Sequence, residues 1–237
     1  MLYTFRHNMK VSCIIPAYNE APRIAAVLNV LIDHPLIEEI IVVNDCSTDA
    51  TQEVVEKIIQ KNSTVTLINH SQNRGKTSAI LEGVIHAKCD MLLFIDADLI
   101  GLTKQAVTNL VTPVLEGKSQ ISISLRTNAL LIYKLLGLDF VSGERVLPKR
   151  LILENQAKLQ TLPGFGLEVF MNELIIAEKL KLSIVYWSTV ISPRKSVKIG
   201  FYRGSIGDMK MVAQIVTTIG IRRIVYQNYV MGKLAWH

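Results

Sequence analysis

The chain has 237 residues, enough for one α/β domain with a substantial core. Hydrophobic residues make up 49% and charged residues 19%, which excludes a disordered chain. Lysine and arginine number 26 against 20 aspartates and glutamates, and the net charge of +6 suits nucleotide, phosphate or anionic-membrane partners. An aromatic fraction of 6% and the lack of a dense basic tract exclude a dedicated nucleic-acid binder. Cys13, Cys46 and Cys89 lie far apart in or beside apolar stretches, so free thiols are expected, with no disulfide framework and no zinc spacing. MLYTFRHNMK lacks the apolar core of a secretory signal, and no run reaches the roughly 18 apolar residues of a spanning helix. The expectation is a cytoplasmic, reduced protein.

Taken in order, strands and helices alternate. Val11 to Ile15 reads as a strand, and Ala21 to Asp33 as a helix with Pro22 in its first turn. Glu39 to Val43 is a second strand, followed by a helix over Thr51 to Gln60 that Ser47, Thr48 or Asp49 would cap. Val65 to Ile68 and the helix Lys76 to His86 lead into the apolar run Met91-Leu92-Leu93-Phe94-Ile95, which ends in Asp96-Ala97-Asp98. A helix over Thr103 to Leu115 and a strand over Gln120 to Leu125 complete this half. Later segments read as helices over Leu147 to Gln160, Glu168 to Lys179 and Ile206 to Tyr229, with a strand over Leu182 to Trp187. The rhythm predicts a mixed, mostly parallel sheet flanked by helices, with a helical C-terminal extension and ligands at the strands' carboxyl ends. One continuous domain over 1–237 is expected.

In a strand residues i and i+2 point to the same side, so Asp96 and Asp98 share a face, and like charges so placed repel unless a cation or an unusual proton offsets them. A hard divalent ion held by one or two carboxylates plus phosphate oxygens suits the pair. The competing reading is a strand that ends in a polar, solvated turn.

Four segments decide between these readings. VSCIIPAYNE, IIVVNDCSTDAT, NRGKTSAILEGVIHAKCD and MLLFIDADL follow in order, and together they resemble family 2 glycosyltransferases of the GT-A fold over residues 10–125. The resemblance implies a nucleotide-sugar donor (a UDP- or GDP-sugar), and Mg²⁺ or Mn²⁺ on its diphosphate. It carries Pro16, Ala17, Tyr18 and Glu20 over as the nucleoside pocket, Asp45 as a partner of the base, and Gly75 as a point of close approach to the donor. Lys76 would reach the diphosphate, or stand solvated at a helix start. Asp98 would bind the ion directly, and Asp96 directly or through ribose or water. Glu20 and Asp49 also read as helix-start carboxylates. Asn44 stands where many members carry a second Asp. Gly75-Lys76-Thr77 is not a nucleoside-triphosphate loop, because His70 occupies a position where that loop requires Gly.

The second half, 126–237, is expected to bind the acceptor. Asp139-Phe140-Val141-Ser142-Gly143-Glu144-Arg145 and Gly164-Phe165-Gly166-Leu167-Glu168 are similar to segments of the members that glycosylate polyprenyl phosphates. Asp139 is the expected catalytic carboxylate, and Glu168 the second candidate or a helix-start carboxylate. Arg126, Arg145, Arg194, Lys195 and Arg203 are candidate phosphate contacts, because guanidinium pairs bidentately with phosphate. Two departures stand out: Ile100 replaces a metal-binding Gln, and the basic loop lacks the order Gly-Lys-Ser-Lys. The expected reaction is metal-dependent and inverting, with a lipid-phosphate acceptor. Leu130 to Leu138 and Met209 to Met231 would meet a membrane interface, or else pack in the core or a homodimer. The alternatives are a soluble phosphorylated or glycan acceptor, and a catalytically silent nucleotide-sugar-binding protein.

Overall fold

In the computed structural model, residues 9–126, 142–162, 166–192 and 220–235 are described. The first half runs β1 (Val11–Ala17), α1 (Ile24–Leu31), β2 (Ile37–Asn44), α2 (Thr51–Ile59), β3 (Val65–Asn69), α3 (Lys76–His86), β4 (Met91–Phe94), α4 (Lys104–Leu115) and β5 (Ile121–Arg126). Then follow β6 (Arg145–Pro148), α5 (Lys149–Leu153), α6 (Gln156–Leu159), α7 (Gly166–Ala177), β7 (Leu182–Trp187) and α8 (Ile221–Leu234). Seven strands share one sheet in the order β3-β2-β1-β4-β6-β5-β7. β6 is antiparallel to both its neighbours, and the other pairings are parallel. The expected mixed, mostly parallel sheet is thus found, and both halves of the chain contribute strands to it.

The apolar runs are buried on both faces because helices cover both. Val11, Cys13, Ile15 and Ala17 of β1 face one layer with Ile24, Val27 and Leu28 of α1 and Val107, Leu110 and Val111 of α4. Ile14 faces the opposite layer with Ala79, Ile80 and Val84 of α3. This is the period of two that a strand imposes. Each such fully buried aliphatic side chain contributes about 1.5–3 kcal/mol. Gly83 lets α3 lie close on the sheet: a Cβ there would stand 2.6 Å from Ile14 Cγ2. That contact explains a glycine in a helix interior, where it costs about 1 kcal/mol against alanine.

Three expectations change. β4 ends at Phe94, so Asp96 and Asp98 stand in the turn beyond the strand, although Ile95 N still donates to Ile14 O at 3.1 Å. The helix expected over Leu147 to Gln160 is instead the end of β6 and two short helices. Leu147 pairs with Leu92, and the break between the helices falls at Asn155, whose Nδ2 donates to the Leu151 carbonyl at 3.0 Å. The C-terminal helix starts only after Gly220, whose φ of +81° lies outside the helical region, and it runs past Tyr229 to Leu234. Its earlier stretch, 206–219, lies outside the described residues. α8 packs on α7 through Met231 and Gln227, and Arg223 pairs with Glu173 at 2.9 Å.

Candidate active site

The turns at the carboxyl ends of β1, β2 and β4 and the start of α3 close around one cleft. Pro16, Ala17, Tyr18, Glu20, Asp45, Lys76, Ala79, Asp96, Ala97 and Asp98 line it. Eight of these were named from sequence, and Ala79 and Ala97 are the other two. Asn19, at φ +57°, makes the turn after β1; its Oδ1 accepts from Thr48 N at 2.8 Å, and its N donates to Ser47 Oγ at 3.0 Å. The β1 and β2 turns are therefore stitched to each other. Asp49 joins them: it accepts from Ala21 N at 3.2 Å and from Thr51 N at 3.0 Å, while the N-cap of α2 is Ala50, with no side-chain cap bond. Tyr18 is half exposed at the cleft, and Glu20 is buried with Arg23 Nη1 at 3.3 Å.

Asp45 is held by the chain itself. Its carboxylate accepts from Arg74 N at 2.9 Å, from Gly75 N at 2.7 Å and from His70 Nδ1 at 2.7 Å. It thereby fixes the turn that starts α3 while still lining the cleft. His70, used in the sequence only to reject a triphosphate loop, is one of its anchors. Gly75 has a φ of +86°, a conformation that favours glycine, and a Cβ there would meet no protein atom within 4 Å. Asn44 faces inward: its Nδ2 donates to Asn69 Oδ1 at 2.8 Å, and its Oδ1 accepts from Ser47 N at 3.1 Å. The amide donor that aspartate lacks adds a side-chain link to the backbone pairing of β2 with β3 here.

Around Asp96 the answering groups are side chains. Lys76 Nζ lies 2.9 Å from Asp96 Oδ1 and 3.1 Å from Glu168 Oε1. Burial works against the lysine's charge, but the two carboxylates outweigh it and raise its pKa well above the ordinary range. Glu168 lies in the first turn of α7 and is buried. Gly143 packs on this group so closely that a Cβ would stand 3.1 Å from both Asp96 oxygens. Asp98 accepts from Ser192 Oγ at 3.2 Å. The backbone beside it is clamped by the bridge between Ile100 and Ile191, with N–H to O distances of 2.8 and 3.0 Å. A side chain at Gly101 would strike the Thr189 carbonyl at 2.5 Å.

Behind the carboxylates stands Glu144, which the sequence reading passed over. It is fully buried and accepts from Ser124 Oγ at 2.9 Å, Ser142 Oγ at 2.6 Å and Arg126 Nη1 at 2.8 Å. Burial acts to lower the Arg126 pKa, and Glu144, Asp96 and Asp98 together outweigh it and raise it. Arg126 is thus a fixed positive charge facing the pair. Arg145 departs from its expected place in a phosphate-binding loop. It is fully buried in β6 and donates to Asn172 Oδ1 at 3.2 Å and to the Ser142 carbonyl. Burial lowers its pKa to about 10 against the pull of Glu168, Glu144 and Asp96. Asp139, Arg194, Lys195 and Arg203 lie outside the described residues.

Among the described residues, no group of three or more His, Cys, Asp or Glu side chains gathers as a complete metal cage. Two carboxylates at the mouth of a cleft form a partial shell. That fits an ion which takes its other oxygens from a diphosphate and water.

Residues 12–130 match the family model described as glycosyl transferase family 2. The chain belongs to that family. Among curated proteins, it is 40% identical over 103 residues to a dolichyl-phosphate β-glucosyltransferase of Trichomonas vaginalis, a match covering 40% of this chain and 31% of that one. It is 32% identical over 123 residues to the 4,4'-diaponeurosporenoate glycosyltransferase of Staphylococcus aureus, covering 47% and 32%. The matched stretch spans about a third of these relatives' own length. Among solved structures, glucosyl-3-phosphoglycerate synthase from Mycobacterium tuberculosis, crystallised with Mn²⁺, UDP and glucosyl-3-phosphoglycerate, aligns with a TM-score of 0.65 at 21% identity. The alignment covers 95% of this chain and 81% of that one, and it is a likeness of fold. The GT-A architecture expected of a family 2 member is the one this chain adopts.

Proposed function

We propose that this family 2 member moves a sugar, with inversion, from a nucleotide-sugar donor to a polyprenyl-phosphate-type lipid acceptor. The observation that carries the reading is the convergence of Tyr18, Glu20, Asp45, Lys76, Asp96 and Asp98 on one cleft. Tyr18 would offer an apolar face with a polar tip to the base, Asp45 a hydrogen-bond acceptor, and Glu20 an acceptor to the ribose. Asp96 and Asp98 would hold Mg²⁺ or Mn²⁺, which when bound neutralises charge on the departing nucleotide diphosphate. Lys76 and Arg126 add positive charge on the same side, worth more in a partly buried cleft than in bulk solvent.

The acceptor oxygen attacks the anomeric carbon on the face opposite the departing diphosphate. A phosphate acceptor is already ionised at neutral pH, so Asp139 or Glu168 has only to orient it; a hydroxyl acceptor would need one of them as general base. The dolichyl-phosphate β-glucosyltransferases among the relatives support a lipid phosphate as acceptor and glucose as the sugar. Among the described residues no helix is long and apolar enough to cross a membrane. The proposed contact with a lipid acceptor is peripheral, at the cytoplasmic membrane face. Arg222, Val225, Tyr226, Tyr229 and Lys233 are exposed on α8 and fit such a surface, or a second copy of the chain.

The test is turnover of UDP-glucose and GDP-mannose with Mg²⁺ or Mn²⁺, offered either polyprenyl phosphate in detergent or 3-phosphoglycerate in buffer. Product on the lipid alone supports the reading. Product on the soluble acceptor alone replaces its acceptor half. Donor binding without any transfer makes the chain a silent nucleotide-sugar binder.

A further inference from the structure

Asp96 is answered in this structure by a lysine of the same chain. Lys76 Nζ stands between Asp96 and Glu168, at 2.9 and 3.1 Å, and Gly143 packs against the first pair, where a Cβ would stand 2.9 Å from Lys76 Nζ and 3.1 Å from both Asp96 oxygens. Lys76 is the first residue of α3, so its flexible four-carbon stem re-aims without moving the helix. Glu168 is buried in the first turn of α7, and Lys76 is about a third exposed. The lysine therefore has one buried anchor and one partner at the mouth of the cleft.

We propose that Lys76 is the exchangeable counter-cation of the donor site: it competes with the divalent ion for Asp96, and the nucleotide diphosphate ends that competition by drawing the ammonium onto its phosphates. This rests on the donor-site reading above. An ammonium and a divalent cation repel each other at one carboxylate, so an ion arriving alone meets an occupied ligand. A diphosphate offers the ammonium new acceptors within reach of its Glu168 anchor, and Asp96 is released to the ion at the same moment. Ion and nucleotide consequently load as a unit, and their affinities are reciprocally coupled. Glu168 becomes the pivot of this exchange, a positioning residue for Lys76.

The experiment titrates Mn²⁺, read as the electron-paramagnetic signal of the free ion, into wild type, Lys76→Met and the uncharged hydrogen-bonding variant Lys76→Gln. Each titration is run alone and with UDP, or with GDP if UDP is silent. Arg74→Met is the control, because it removes an exposed positive charge from the same turn. Wild type should bind Mn²⁺ weakly alone and at least about tenfold more tightly with nucleotide. Both Lys76 variants should bind Mn²⁺ alone about tenfold more tightly than wild type and gain less from nucleotide, and Arg74→Met should follow wild type. Equal Mn²⁺ affinity in wild type and both Lys76 variants overturns the exchange and leaves the donor site standing. So does a gain in Arg74→Met as large as in Lys76→Met, which marks a general charge effect. Absence of Mn²⁺ binding from every protein, with or without nucleotide, overturns both readings.

Discussion

Over residues 9–126, backbone N–H groups share in answering the carboxylates: Arg74 and Gly75 on Asp45 beside His70, Ala21 and Thr51 on Asp49, and Lys88 on Glu39 beside Ser12. Over residues 142–192 they are answered by side chains: Glu144 by Arg126, Ser124 and Ser142, and Glu168 by Lys76. A backbone donor is set by the path of the chain and needs no further side chain to be ordered. A side-chain cation has rotamers to choose among and can change partner. The first arrangement makes a fixed wall for the donor. The second makes a set of charges that a ligand can rearrange, and Asp96 stands where the two meet.

The sharpest way to break this comparison is at that junction. Asp98→Ala removes one of the two carboxylates proposed to hold the ion, and turnover should fall about a thousandfold, on the order of 4 kcal/mol of transition-state stabilisation. Its melting temperature without metal should stay within about 3 °C of wild type, because the change also removes one of two adjacent like charges. Turnover within tenfold of wild type would remove the ion from the Asp96 and Asp98 turn.

Glu144→Ala tests the other side. It strips the acceptor from two buried hydroxyls and leaves Arg126 without its carboxylate. Breaking a buried ion pair costs about 3–5 kcal/mol, and the partial exposure of Arg126 reduces the expected loss to about 2–3 kcal/mol. Glu144→Gln keeps an acceptor for the serines and should lose about half as much. Urea midpoints of the two variants measure this. A loss under about 0.5 kcal/mol in both would show that the second half does not depend on its side-chain cations for stability.

The same division explains what the sequence revealed. Pro16 lies at the end of β1, Tyr18, Glu20, Asp45, Asp96 and Asp98 follow soon after strands whose apolar runs are plain, and parallel strands bring their carboxyl ends to one edge. Their meeting in the cleft follows from the order of elements. Glu144 and Arg145 gave no such signal, because β6 is four residues long and inserts antiparallel between β4 and β5. Nothing in Arg145-Val146-Leu147-Pro148 distinguishes that strand from a helix start. The pairing of Lys76 with Glu168 joins residues 92 positions apart, which periodicity cannot register. Gly143 and Gly101 carry no pattern that periodicity reads; their meaning lies in what a Cβ would strike.

The smallest expected effect asks whether the fixed wall has a pH-dependent joint. His34 links the end of α1 to α4: Leu36 N donates to its Nδ1 at 3.3 Å, and its Nε2 lies 3.2 Å from both the Lys104 carbonyl and Thr108 Oγ1. Nδ1 as acceptor carries no proton, so the Nε2–H tautomer donates to Lys104 and the ring is neutral. Burial lowers its pKa, the hydrogen bond to the Lys104 carbonyl opposes that, and the Lys104 charge adds to it. A folded pKa below the unfolded value of about 6.5 means that the unfolded chain takes up the proton first as pH falls. His34 therefore takes stability away as pH drops below about 6.5, and the loss levels off once the folded ring is itself protonated. Melting temperatures at pH 7.5, 6.5 and 5.5, values about and on either side of that pKa, should fall faster in wild type than in His34→Gln, whose amide carries no titrating proton. Parallel curves would mean that the α1 to α4 link tolerates a charged ring, and that this wall owes its order to apolar packing and backbone bonds alone.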